Sequence, residues 1–178
     1  MKNKKGITNM KHGDDDCFKW FITRALNQVK KNSERVTSLW REQSEALNWE
    51  GIEFPVKVCN NEGGASDIDR FEKMNPEVGV NVFGYENPGG VFPLRISKKY
   101  SPTACSGIVR LLLISTDDKQ HYRLINDMSR LLSSQISKKK NKKFFCDRCL
   151  NPFGSQELLV KHDEYCGKNE AVKIAMPE

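Results

Sequence analysis

Four residues close to the C-terminal end constrain this chain more than any others. In "FFCDRCLNPFGSQELLVKHDEYC" the spacing is C-x2-C-x12-H-x3-C, formed by Cys146, Cys149, His162 and Cys166. Two cysteines two residues apart sit on a tight turn, and a His/Cys pair four apart shares one helix face, so all four can meet at one tetrahedral Zn2+. Phe144 before the first ligand, Phe153 after the second and Leu159 before the histidine supply the small apolar core of a ββα finger. Four protein ligands leave no position open to a substrate, so the expected zinc is structural. A finger can lay its helix in a DNA major groove, but fingers usually act in series, each covering about 3 base pairs. A single finger presenting Gln156, Leu159 and Asp163 is a poor base reader, and an accessory or protein-contact role suits it at least as well.

The finger occupies a small part of 178 residues, and the remainder is long enough for one compact domain with its own core. With 38% apolar residues and charges of both signs, the composition is that of a globular chain. The net charge of +6 is concentrated in "MKNKK", "KKNSER" and "SKKKNKK". Such runs are usually solvated linkers, yet they attract polyanions by counterion release, which keeps nucleic acid among the expected partners. No stretch approaches the roughly 20 apolar residues that span a bilayer, and the polar N-terminus has no signal core. The expectation is an intracellular protein with no membrane partner. In a reducing compartment six cysteines are not read as three disulfides. Cys59 and Cys105 have no visible base beside them and are read as structural, which leaves Cys17.

Helical spacing of Phe18, Phe21, Ile22, Ala25, Leu26 and Val29 predicts a helix from Asp16 to Lys30, and a second is expected from Ser33 to Leu47. "GIEFPVKV" alternates as a strand, with its proline at an edge or start. "SDIDRFEKMN" predicts a short helix capped by Ser66. Then "VGVNVFGYE", "VFPLRIS", "IVRLLLIS" and "QHYRLI" predict strands joined by turn-rich segments, and "NDMSRLLSSQI" a closing helix. Close strands with short turns argue for an antiparallel sheet. The expected class is therefore α+β, helices first and then sheet.

Cys17 lies in "HGDDDCFKWFITRAL", where Asp14, Asp15 and Asp16 lead into the first helix. A helix N-terminus favours a thiolate and a developing oxyanion through its unpaired N–H groups and dipole. A nucleophilic cysteine also needs a base. His162 is committed to metal and His12 lies in the leader, which leaves His121, at the start of a strand. For a carboxylate to orient His121, Asp118 on the preceding turn and Asp14 ahead of the sulfur rank together. Asp127 ranks behind them, because six residues of extended strand span about 20 Å. Trp20, one turn beyond the sulfur, is either core or a wall of the substrate cleft.

A cysteine opening the first helix, followed by a sheet with histidine on a late strand, is the papain-type order. "GDDDCF" resembles the D-G-[ND]-C-[LF] signature of OTU-type cysteine peptidases at Asp14, Asp16, Cys17 and Phe18, with Asp15 where the signature has glycine. "LLLISTDDKQHY" resembles their apolar strand ending in His-Tyr, with Arg123 where an aspartate or asparagine is usual. From about residue 14 to 178 the chain is also similar to the region ahead of the type-B DNA polymerase of Polinton-type transposons. Such elements carry papain-fold modules similar to viral tegument deubiquitinases.

The resemblance implies a papain-like core cleaving after the C-terminus of ubiquitin or a ubiquitin-like protein, with Cys17 as nucleophile and His121 as base. Asp14 to Asp16 and Glu86 would suit ubiquitin's basic residues, with Asp16 and Trp20 contacting substrate. The expected organisation is a basic leader (1–13), a peptidase domain (14–136), a linker (137–143), the finger (144–168) and a tail (169–178). The rival expectation is a non-enzymatic accessory module of a mobile element, in which the linker and finger contact nucleic acid.

Overall fold

The computed structural model describes residues 6–8, 15–27, 38–58, 65–87, 90–103, 106–115, 120–136 and 142–168. Among them, a five-stranded sheet lies between two layers. Its strands are β1 (Ile7–Thr8), β2 (Gly79–Glu86), β3 (Gly90–Arg95), β4 (Ile108–Ser115) and β5 (Gln120–Ile125), in the order β1-β5-β4-β2-β3.

Alternation along each strand divides two cores. Val80 and Val82 of β2, Val109, Leu111 and Leu113 of β4, and Tyr122 and Leu124 of β5 face the helices α1 (Cys17–Leu26), α2 (Ser38–Glu45) and α3 (Asp67–Met74). Phe83, Leu112 and Ile125 face the other way, against Leu131 and Leu132 of α4 (Met128–Ile136) and Phe145. Because both faces are covered, β4 reads "IVRLLLIS", nearly continuous apolar residues rather than a clean alternation. Phe18, Phe21 and Ile22 of α1 are completely buried, each contributing about 1.5–3 kcal/mol by leaving water.

The sheet is mixed, not antiparallel as the short connections led us to expect. β2 pairs antiparallel with β3 but parallel with β4, in the register Val80↔Val109 and Val82↔Leu111. The hairpin return β3 takes the outer edge, and residues 96–107 then carry the chain back to the start of β2's other side. Because β3 has already returned the chain to that end of the sheet, this connection needs only to step past β2, with no end-to-end crossover. It ends at Gly107, whose φ is +76° and whose backbone lies so close to the Glu77 carbonyl that an added Cβ would collide with it; both demand glycine.

Three further expectations are revised. "GIEFPVKV" forms no strand: Pro55 has no N–H to give a ladder, and Val56 instead inserts into the helix-side core, its carbonyl accepting from Tyr122 Oη at 2.9 Å. The first helix stops at Leu26 rather than Lys30, because Asn27 turns to extended backbone and folds its side-chain amide back onto the Thr23 carbonyl. Ile7–Thr8 of the expected leader form β1, pairing with Ile125 and Leu124, while Gly6 fits under the start of α4. The helix over Asp67–Met74 follows the expected cap: Ser66 Oγ accepts from the Asp69 N–H while Asp69 accepts from the Ser66 N–H. The second helix is described only from Ser38, and Ser33, Cys59 and Cys105 lie outside the described residues.

The finger has its expected ββα form, with β6 (Phe144–Phe145), β7 (Pro152–Phe153) and α5 (Gln156–Cys166). Phe145 and Leu150 of this unit belong to the core under the sheet, while residues 137–141 of the expected linker lie outside the described residues.

Candidate functional site

Cys17 is the first residue of α1, after Asp16. In the first turn of α1 the Trp20 N–H reaches the Asp16 carbonyl at 3.2 Å. The sulfur's residue is 4% exposed and belongs to the helix-side core.

His121, half-buried, is the second residue of β5, opposite Ile114 of β4. Alternation with Tyr122 and Leu124 sends its side chain off the strand on the side away from α1. Its ring nevertheless meets Phe21 of α1 edge-on, with centroids 6.1 Å apart at 75°. Among the described residues β1 pairs with β5 at Leu124 and Ile125. Phe21 is one helical turn past Cys17, on the same face of α1.

Asp14 and Asp118, the two carboxylates ranked first for orienting His121, lie outside the described residues, as does His12. Asp16 is half-buried at the start of α1 and makes no side-chain cap bond to it. Asp127 belongs to the far end of β5, where it accepts from the Arg130 N–H and pairs with the Arg130 guanidinium at 3.4 Å, capping α4 rather than serving His121. Trp20 is 4% exposed, with Lys19 Nζ 5.5 Å and the Arg41 guanidinium 5.7 Å from its ring, which is the core alternative with two cations at its rim. Glu86 stands exposed at the end of β2.

At the other site, the ligand atoms of Cys146, Cys149, His162 and Cys166 all lie within 4.8 Å of one another, a cluster that could hold a metal ion. The Cys146 and Cys166 sulfurs are 3.8 Å apart, too far for a disulfide. Cys149 Sγ is 3.2 Å from His162 Nε2, and the Phe153 ring, 4.8 Å away, supports the imidazole. Leu150, in left-handed backbone at φ 58°, closes the turn with its N–H on the Cys146 carbonyl at 2.8 Å. Among themselves the three sulfurs compete for protons. The hydrogen bond to Cys149, with burial, pushes the Cys146 thiol up, and the same hydrogen bond pulls Cys149 down. Burial, with the neighbouring Cys146, raises Cys166. A divalent cation resolves that conflict, because it favours every thiolate at once.

On α5, Gln156 Nε2 donates to the Pro102 carbonyl at 2.7 Å and Leu159 is buried, so neither of these residues is available to a base edge. The turn between the first two cysteines carries a residue that motif spacing does not single out. Asp147 is 1% exposed and accepts from Asn81 Nδ2 at 2.6 Å and from Arg110 Nε at 2.7 Å. An acidic residue inside a C-x2-C turn was visible in the sequence, but its partners on β2 and β4 were not.

Comparison with models of protein families, with curated proteins and with solved structures found no match. Among the described residues, no helix is long and apolar enough to cross a membrane.

Proposed function

We propose that this chain is a thiol-dependent isopeptidase that cleaves after the C-terminus of ubiquitin or a ubiquitin-like modifier, with a papain-like core and a finger holding structural Zn2+. The observation that carries the reading is the His121 ring against Phe21, one turn from Cys17 at the opening of α1. β1 runs antiparallel to β5, so the chain leaves Thr8 toward the end of β5 that bears His121 before α1 begins. Both features support a sulfur and an imidazole at one end of the sheet.

In this mechanism His121 takes the Cys17 proton and the thiolate attacks the carbonyl carbon. The oxyanion is met by N–H groups of the first turn of α1, and the amine departs with the proton from His121. Water, activated by the same imidazole, then hydrolyses the thioester. Asp14 or Asp118 orients the ring. Cys17 is only 4% exposed, which favours a slender, glycine-ended tail over bulky side chains as the group that approaches it.

For the metal, three thiolates and one imidazole form a soft donor set suited to Zn2+. The 3.8 Å between Cys146 and Cys166 sulfurs equals the edge of a tetrahedron with Zn–S bonds of about 2.3 Å. When bound, the ion supplies charge neutralisation and cross-linking, not a site for substrate.

The test is labelling by ubiquitin carrying a C-terminal electrophile. Covalent adduct with the parent chain, and none with Cys17→Ala or His121→Ala, is the expected result. No adduct with the folded parent, or an adduct that survives Cys17→Ala, refutes the peptidase reading.

A further inference from the structure

Asp147 is not one of the four cluster residues, yet it lies in the turn between two of them, directly after Cys146 and two residues before Cys149. Besides its two carboxylate bonds, its N–H donates to Tyr100 Oη at 3.1 Å. Asn81, fully buried, turns its other amide atom to accept the Ser97 N–H at 2.9 Å. Ser97 Oγ donates to Glu72 Oε2 at 3.0 Å, and Glu72 Oε1 accepts from the Val80 N–H at 2.7 Å and from Arg95 at 2.8 Å. An unbroken line of hydrogen bonds therefore runs from the metal turn, through β2, to α3 on the far side of the sheet.

Such a line stabilises only while every member is satisfied, since a buried amide or guanidinium that loses its acceptor is left desolvated and unpaired. The turn that carries Asp147 is closed by the Leu150 N–H on the Cys146 carbonyl, and two of the four ligand residues, Cys146 and Cys149, flank Asp147 within it. We propose that metal occupancy at Cys146, Cys149, His162 and Cys166 sets the order of β2, the Ser97 segment and α3 through Asp147, so that the finger is a metal-dependent latch on the body. This inference rests on the metal reading of the cluster, not on the peptidase reading. Coupling is reciprocal: if metal holds the body network together, the network in turn tightens metal binding.

The experiment uses the full chain loaded with one equivalent of Zn2+, then stripped with a chelator. Hydrogen exchange is read at the Val80 and Ser97 amides, with the β4 and β5 amides as references. Stripping is expected to accelerate the first two about tenfold relative to the references. In competition with a chromophoric chelator, Asn81→Leu should weaken Zn2+ binding about tenfold and the milder Tyr100→Phe a few-fold, although neither residue is a ligand. If stripping unfolds the whole chain, the two variants decide the matter. Parent-like Zn2+ affinity in both, or accelerated exchange confined to residues 142–168, overturns the latch. A parent chain that binds no Zn2+ overturns the metal reading, and the latch with it.

Discussion

The opening of α1 and the turn between Cys146 and Cys149 are built in opposite ways. The opening of α1 is apolar: Phe18 and Phe21 are sealed, Phe18 meets Phe71 and Tyr122 edge-on at 5.7 and 5.5 Å, and Cys17 sits at the border of that packing. The metal turn is polar: Asp147, Asn81, Arg110 and Tyr100 hold it to the sheet through directed bonds. Apolar packing tolerates small adjustments and degrades gradually, whereas a satisfied buried network fails as a unit. Perturbations at the finger should therefore be felt across the body, and perturbations at Cys17 should stay local.

Metal removal is the largest perturbation that comparison anticipates. Chelation, or Cys166→Ser, should abolish the helical signal of α5, since Zn2+ binding to a finger of this size is worth on the order of 10 kcal/mol of folding free energy. Circular dichroism with zinc titration checks it, and an α5 that persists without metal would break the contrast. Next, Phe21→Ala should cost about 3–5 kcal/mol in denaturant unfolding by leaving a cavity in the helix-side core. Asp147→Ala should cost on the order of 3 kcal/mol by stranding Asn81 and Arg110. The two differ in reach: the first should accelerate exchange in α1 and β5, the second in β2 and around Ser97.

Cys17→Ala should move the unfolding midpoint by no more than about 1–2 kcal/mol, because one sulfur is removed at the edge of the core. A loss of labelling without a loss of stability would separate a nucleophile from a packing residue.

The smallest effect concerns Asp69. Partial burial raises its pKa, but hydrogen bonds from Arg95 and Ser66 outweigh burial and hold the carboxyl below its ordinary value. A depressed acid stabilises the fold above its unfolded pKa of about 3.9, and that contribution is lost as pH falls through the lower folded value. Asp69→Asn should remove that contribution, lowering stability slightly across the neutral range and converging on the parent as pH falls well below about 4. Thermal melts from pH 2 to 7 test this.

Features set by near neighbours were legible from residue order. The C-x2-C-x12-H-x3-C spacing specifies a ligand cluster, because a turn and a helix face bring those four together whatever surrounds them. Ser66 with Asp69 marks the start of α3 for the same reason, and the four long strands and α4 fall where their apolar periods place them. The alternation of "GIEFPVKV" misled, since an extended segment against a core alternates as a strand does and only Pro55 signalled otherwise. The parallel pairing of β2 with β4 was hidden because turn-rich composition reveals that a connection bends, not which edge it returns to.

What the order of residues determined by itself is local: a constellation of candidate metal ligands, a cysteine at a helix start, and the positions of the four long strands. Only the tertiary structure decided that the finger is fastened to the sheet through Asp147, that β1 lines the edge of β5, and that His121 reaches Phe21 of α1. The physical reason is range. Periodicity and spacing are properties of neighbouring residues, whereas a buried hydrogen bond between residues 81 and 147 exists only once the whole chain has closed around it.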